Sequence, residues 1–523
     1  MRLKLSPRRE NIAFAACLLV GLAGTFRFPY FASWDGPAHA ASARGMWRYD
    51  GAVGQVFRRD WFPSPNLIAH LYESALLPVL GPAVADRVIA ATCVVLVATG
   101  VRYLARSIAP ETGALVSYAG LPIAFGWFVH AGQYSFLLGV GSALVYLGWR
   151  LRSPEGDRWT RHPAAVAVAL AWLYLCHVIP LAVVLIAHLV ASVPALRQRN
   201  FRRLSVAWAP AIPALALVAV YLSRSTGGGV GRRTLKDLIV DAGTMREVLV
   251  AFSTRNEVLS IVPMVILIAT IFAGLLWRYR DVRATPSAST IAIVALLLGT
   301  LYWILPTNVA GGGFLTARLL LLAVVFSIAA ASVLPRAFVR LVPIIAIASL
   351  LASVVLRQDE YDGFSDDIEE LMEARAFLTN DDVVLGLIMC DERDAGCASA
   401  QASTIRPLSQ ATSLLMAHTG AADLTLYEGY LNYFPLQFRA DTTPLDRLFP
   451  AATEQSDVPM ADVAGYERAT GVDIDVIIIW GWDAVSDDPS LVGLDVLRAA
   501  LAANYHLVHT SQRGHVVVFE RVL

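Results

Sequence analysis

Lysine is nearly missing from this chain: among 42 basic residues only Lys4 and Lys236 are lysines, and the rest are arginines. Charge of either sign is also scarce, at 16% of 523 residues, where soluble domains carry about 25%. The 42 acidic residues cancel the 42 basic ones, so no excess positive charge points to nucleic acid as a partner. Cysteine is limited to five residues, with no CxxC pair and no histidine at metal-ligand spacing. Cys17, Cys93 and Cys176 lie in apolar runs, as small core residues do. Cys390 and Cys397 flank a polar stretch and suit a local disulfide if that stretch meets an oxidising compartment. Nucleotide signatures are lacking too. The glycine-rich segment at 226–233 has no Gly-Lys-Ser/Thr ending, and no Gly-x-Gly-x-x-Gly follows a strand, which argues against a nucleotide-sugar donor.

What the chain has is apolar length. Hydrophobic residues make up 56% and the mean hydropathy is +0.56, beyond the roughly 45–50% of soluble proteins. A first apolar run covers 12–30. Further runs follow at about 83–104, 113–129, 134–149, 164–179, 180–196, 204–222, 258–277, 291–305, 315–334 and 341–356, most of them near the roughly 20 residues that a bilayer core demands. About eleven transmembrane helices result. The pair at 164–196, joined at Pro180, reads either as a hairpin that does not fully cross or as two compressed helices. Arginines at 102/106, 150–161, 197–203, 278–283 and 336/340 fall on one side if every span crosses. That side is cytoplasmic by the positive-inside rule, and it is shared with the N-terminus. Some fifteen residues separate the first apolar core from the small residues near Ala40, unlike a cleaved signal peptide, so the first helix is read as retained.

Two polar regions then lie outside. The first external loop, 31–82, holds two helix-like pieces at 37–49 and 66–77, divided by Trp61-Phe62-Pro63-Ser64-Pro65; proline there suits two short helices at the membrane surface. The tail, 358–523, is richer in acid and is long enough for one domain. Runs 383–388 and 476–480 read as buried strands, 494–503 as a helix and 505–519 as a hairpin around Ser511-Gln512-Arg513-Gly514. The expected fold is a polytopic α-helical membrane protein, 1–357, with a C-terminal extracytoplasmic α/β domain, 358–523.

The first loop opens on Trp34-Asp35-Gly36-Pro37-Ala38-His39. Asp35 either serves as a working carboxylate or caps the helix that starts at Gly36-Pro37. This motif and the whole layout resemble the GT-C superfamily of polyprenyl-phosphate-sugar glycosyltransferases, in its bacterial members. The resemblance implies a bacterial inner-membrane enzyme, a hexosyl- or pentosyltransferase. It would move a sugar from a polyprenyl-phosphate donor to a glycan, lipid or protein acceptor of the envelope, with inversion. Asp35 would take the proton of the acceptor hydroxyl, as general-base catalysis requires. No dense carboxylate cluster argues for an ion, so neither a cofactor nor a metal is expected, although some relatives use a divalent ion.

Other residues are candidates by position. His39, one helical turn after Asp35, would orient it or bind donor phosphate. Arg318, one turn into an apolar segment, either holds the donor phosphate as charge grows on the leaving group or snorkels to the interface. His70 and Glu73 share a helix face at i and i+3 as acceptor or auxiliary groups, as do His130 and Tyr134 at a tight external turn. In the tail, His418 and Tyr430 stand out, the latter within the aromatic run 427–435, where rings either stack on a sugar or pack the domain. The rival classes are a lipid-linked-sugar transporter or flippase, against which stands the lack of an internal repeat, and a non-catalytic envelope-assembly scaffold.

Overall fold

The computed structural model describes residues 6–152, 162–224, 231–309, 312–389, 404–444, 447–449, 461–486 and 494–522. Cys390 and Cys397 fall outside these residues. By contact the chain divides into two compact units. One comprises Met1–Arg27, Pro63–Ile68 and Ala90–Gln358; the other comprises Phe28–Phe62, Ala69–Ile89 and Asp359–Leu523.

The first unit is helical. Among the described residues nine helices are long and apolar enough to cross a membrane. With Tyr134–Arg152 and the shorter Pro163–Cys176, they coincide with the apolar segments of the sequence, and the chain is a multi-pass membrane protein. The first helix, Pro7–Phe26, lies a few residues earlier than hydropathy suggests, because Ser6 caps it and accepts from the Arg9 amide. Burial separates the helices into two kinds. Leu315–Ala330 is apolar on every face and almost wholly buried, as expected of a central helix. Phe201–Arg224 exposes most of its side chains, which suits contact with lipid. The break in the 164–196 pair falls at His177, whose backbone is extended between helices Pro163–Cys176 and Val178–Arg197; its ring accepts from the Ile179 amide and so caps the second helix.

The second unit joins the tail to most of the first loop. Its five-stranded sheet has the order β3–β2–β5–β7–β6, with β2 (Val383–Ile388), β3 (Ala422–Asp423), β5 (Val476–Trp480), β6 (Tyr505–Thr510) and β7 (Val516–Arg521). Strands β2, β3 and β5 run parallel, and β7 is antiparallel to both β5 and β6. The continuous apolar runs of β2 and β5 are buried on both faces, as parallel strands usually are. A separate two-stranded ribbon pairs β1 (Phe57–Arg59) with β4 (Leu436–Phe438), Phe57 opposite Phe438, their rings stacked at 4.6 Å. One apolar core contains both Ala38, Val53 and Phe57 of the loop and Leu385, Ile477 and Val517 of the sheet.

Small residues make this packing possible. In the loop helix Gly36–Trp47, Ala38, Ala40, Ala41 and Ala43 are fully buried. A Cβ on Gly45 would come within 2.6 Å of Leu436 on β4. Gly51 has φ +57, and a side chain there would strike the Asn380 carbonyl at 2.2 Å; the turn requires glycine.

Candidate functional site

Asp35 stands at the N-cap position of helix Gly36–Trp47, yet its side chain makes no capping hydrogen bond. The backbone there is already helical, with φ −91 and ψ −11, whereas a capping residue usually takes an extended conformation. The half-buried carboxylate lies beside Tyr427 of the tail, close enough to its hydroxyl to interact with it. One turn on, His39 points Nδ1 at Glu428, 2.5 Å from Oε1. His70, from helix Leu67–Leu80, brings Nε2 to 2.9 Å of the other oxygen, Oε2. His39, His70 and Glu428 are buried. The two imidazoles meet edge to face at 5.1 Å, and Phe434 closes one side, 5.5 Å from His70 and 6.4 Å from His39.

Charge organises this cluster. Burial opposes a proton on His39, but the Glu428 carboxylate overcomes it, with smaller help from Asp35 and Glu73, and the imidazole is held up at about 9. Burial would raise Glu428; His70 and His39 together outweigh it and keep the carboxyl well below its usual range. Tyr427 is pushed well above the ordinary phenol, first by burial and then by Asp35 and Glu428, so its proton stays available to Asp35. Glu73 is different. It is 0% exposed, neither oxygen has a hydrogen-bond partner among the described residues, and burial, with Asp86 and Glu428 nearby, drives its carboxyl well above the usual value despite His39.

Thus Asp35, His39, His70 and Glu73 converge, and the tail contributes Tyr427 and Glu428, which sequence reasoning did not single out. The signal was present: Glu428 is the one acid in an otherwise aromatic and apolar run, Tyr427 to Pro435, and a buried carboxylate must find partners. The aromatic run itself turns inward. Phe434 packs on the imidazoles, and Tyr430 lies 4.8 Å from Phe438 while its hydroxyl donates to the Leu424 carbonyl.

His418, half-buried in helix Ser413–Thr419, has a buried Nε2 without a hydrogen-bond partner; burial, then Arg375 and Arg44, lower its proton affinity to about 4. In the helical unit, Arg318 donates to the Gln133 side chain at 2.5 Å and lies over the Phe136 ring at 5.4 Å. His130 donates from Nδ1 to the Gly126 carbonyl at 2.9 Å and packs on Phe252. Tyr134 is fully buried. Arg233 is engaged by Asp241 and Glu247.

Among the described residues two groups of side chains are spaced to hold a metal ion, His39 with His70 and Glu428, and Asp367 with Glu370 and His515. In the second, Arg513 already supplies the cation, donating to Glu370 and Asp367 at 2.7 Å each.

No family model and no curated protein matches the chain. Among solved structures, ArnT from Cupriavidus metallidurans matches over nearly the full length of both chains. In the apo state the TM-score is 0.56 at 12% identity, with 98% of this chain and 97% of ArnT covered. Bound to undecaprenyl phosphate it is 0.56 at 14% identity, covering 99% of each. The chain has the GT-C fold. A looser likeness, TM-score 0.46 at 12% identity over 99% of this chain and 74% of the other, is to the oligosaccharyltransferase of Archaeoglobus fulgidus tethered to an acceptor peptide. The fold is shared with ArnT at an identity at which residues cannot be matched one by one.

Proposed function

We propose that this protein is an inverting glycosyltransferase that moves a sugar from a polyprenyl-phosphate donor to an envelope acceptor. The reaction would take place on the extracytoplasmic face of a bacterial inner membrane. The observation that carries the reading is the state of Asp35. Its carboxylate is not spent on the helix beneath it, and a tyrosine hydroxyl orients it at the edge of a buried histidine–carboxylate cluster. The likeness in fold to a protein crystallised with undecaprenyl phosphate supports a polyprenyl-phosphate donor. The arginine-rich segments support an N-terminus in the cytoplasm and a tail outside.

In the proposed step the acceptor hydroxyl attacks the anomeric carbon from the face opposite the phosphate. A new carbon–oxygen bond forms as the bond to phosphate oxygen breaks. The hydroxyl proton passes to Asp35, and the bonding pair leaves with the polyprenyl phosphate. Such proton transfer contributes typically about 10²–10⁴-fold. Arg318 carries the proposed role of holding the donor phosphate, where a fixed cation would stabilise the leaving group.

The test uses the full chain in lipid nanodiscs with synthetic polyprenyl-phosphate sugars and an extract of envelope glycans and lipids. The reading predicts release of polyprenyl phosphate and a product of inverted anomeric configuration. In sealed vesicles, movement of intact lipid-linked sugar without bond cleavage would contradict it in favour of a transporter.

A further inference from the structure

We propose that His39, His70 and Glu428, with Glu73 beside them, form a site for one divalent transition-metal ion of the zinc class, which ties the tail turn Tyr427–Tyr430 to the two first-loop helices. The ion would be held through nitrogen and oxygen together. The inference stands apart from the transfer reading, because metal content is measured without donor or acceptor. It departs from the metal-free expectation of the sequence.

Geometry comes first. One nitrogen from each imidazole and one oxygen of Glu428 lie within 4.8 Å of one another. Ligands about 2.0–2.2 Å from a tetrahedral zinc stand roughly 3.3–3.6 Å apart. Here the nitrogen–oxygen separations are 2.5 Å and 2.9 Å, so the carboxylate sits between the rings where an ion would lie. Opening by about 1 Å or less converts one arrangement into the other.

Glu73 supplies an independent observation. It follows His70 by one helical turn and shares its face. It is fully buried and, among the described residues, both its oxygens lack a hydrogen-bond partner, an arrangement that costs stability. It is close enough to His39 and Glu428 to feel their charge. A cation between these groups gives the orphaned carboxylate its partner. Two neutral imidazoles and two carboxylates then balance a double positive charge.

Donor chemistry selects the ion. Calcium and magnesium prefer oxygen alone, whereas imidazole with carboxylate suits zinc and its neighbours. His39, His70 and Glu428 supply three ligands, and the fourth tetrahedral position is left to water or to a shift of Glu73. Asp35 is not among the ligands, and Phe434 packs on one side of the imidazoles. The second carboxylate–histidine group differs because a guanidinium already occupies the cation's place.

The test strips the purified full-length protein with chelator, then titrates it with Zn²⁺ and, separately, Co²⁺. Bound metal is read by elemental analysis, coordination by the visible spectrum of Co²⁺, and stability by thermal unfolding. The expected result is one ion per chain, a tetrahedral Co²⁺ spectrum and a higher unfolding temperature with Zn²⁺. His70→Ala and Glu428→Gln should each abolish stoichiometric binding. Glu73→Gln should weaken it by about 10–100-fold, and Asp35→Asn should bind as the wild type does. Absence of stoichiometric metal in the wild type would overturn the proposal. So would an octahedral Co²⁺ spectrum, or undiminished binding by a His39→Ala/His70→Ala double variant. The wild-type titration decides even where a variant fails to fold.

Discussion

Two buried charged clusters in this molecule look alike on paper and are built on opposite terms. In the helical unit, Glu257 and Arg357 are 1% and 3% exposed, and their polar atoms are heavily engaged. Arg357 donates to Glu257, to the Phe125 carbonyl and to the Leu249 carbonyl. The Glu257 carboxylate also accepts from the amides of Ala251, Phe252 and Ser253. In the other unit, His39, His70 and Glu428 satisfy one another, yet Glu73 beside them has no hydrogen bond among the described residues. A saturated cluster fixes backbone; an unsaturated one has capacity left for a ligand or a proton. The contrast separates architecture from chemistry more sharply than burial does, since both clusters are equally deep.

Three variants break or sharpen that contrast, in falling order of effect. Glu257→Ala strands a buried guanidinium and should destabilise by about 3–5 kcal/mol, read as lost folded yield and a lower unfolding temperature. Adding metal should not rescue it. Leu436→Ala empties the contact between β4 and the loop helix at Gly45 and should cost about 2–5 kcal/mol, loosening both loop and tail in hydrogen exchange. An unchanged exchange pattern would contradict the shared core. Tyr427→Phe removes one hydrogen bond to a carboxylate, worth about 1.5 kcal/mol. It should slow transfer about tenfold and leave the unfolding temperature nearly unchanged.

The pH dependence of stability distinguishes the clusters further. In metal-free protein, His39 has its proton affinity raised from 6.5 to about 9. Its contribution is therefore fully present below pH 6.5 and fades as pH rises towards 9. Glu428 is lowered, so its contribution is present above its ordinary value of 4.5 and fades as pH falls below it. Glu73 is raised, so deprotonating it adds to the loss on the alkaline side. The unfolding temperature of chelated wild type should fall between pH 6.5 and 9. Glu428→Gln should show a shallower fall, and an equal slope in both would contradict the pairing.

Much of this fold was legible in the residues. Apolar length gave the membrane helices, because a bilayer sets a minimum span, and the continuous runs 383–388 and 476–480 gave the two central strands. The ribbon between Phe57–Arg59 and Leu436–Phe438 was not legible. Each strand has three residues, too few for a periodic signal, and their pairing spans nearly 400 residues of sequence. The same long-range closure hid the site. Asp35, His39, His70 and Glu73 could be found from the spacing on two helices, but Glu428 and Tyr427 arrive from the tail, and local spacing cannot report what a distant turn delivers. That Asp35 would sit at the N-cap without capping was equally invisible, since it depends on the Tyr427 hydroxyl.

The account rests on Asp35 as the base. The most direct measurement is single-turnover transfer from a polyprenyl-phosphate sugar by wild type and Asp35→Asn, with folding of both checked by thermal unfolding. The account predicts a loss of about 10²–10⁴-fold at an unchanged unfolding temperature. Transfer by the asparagine variant at the wild-type rate would remove Asp35 from the chemistry.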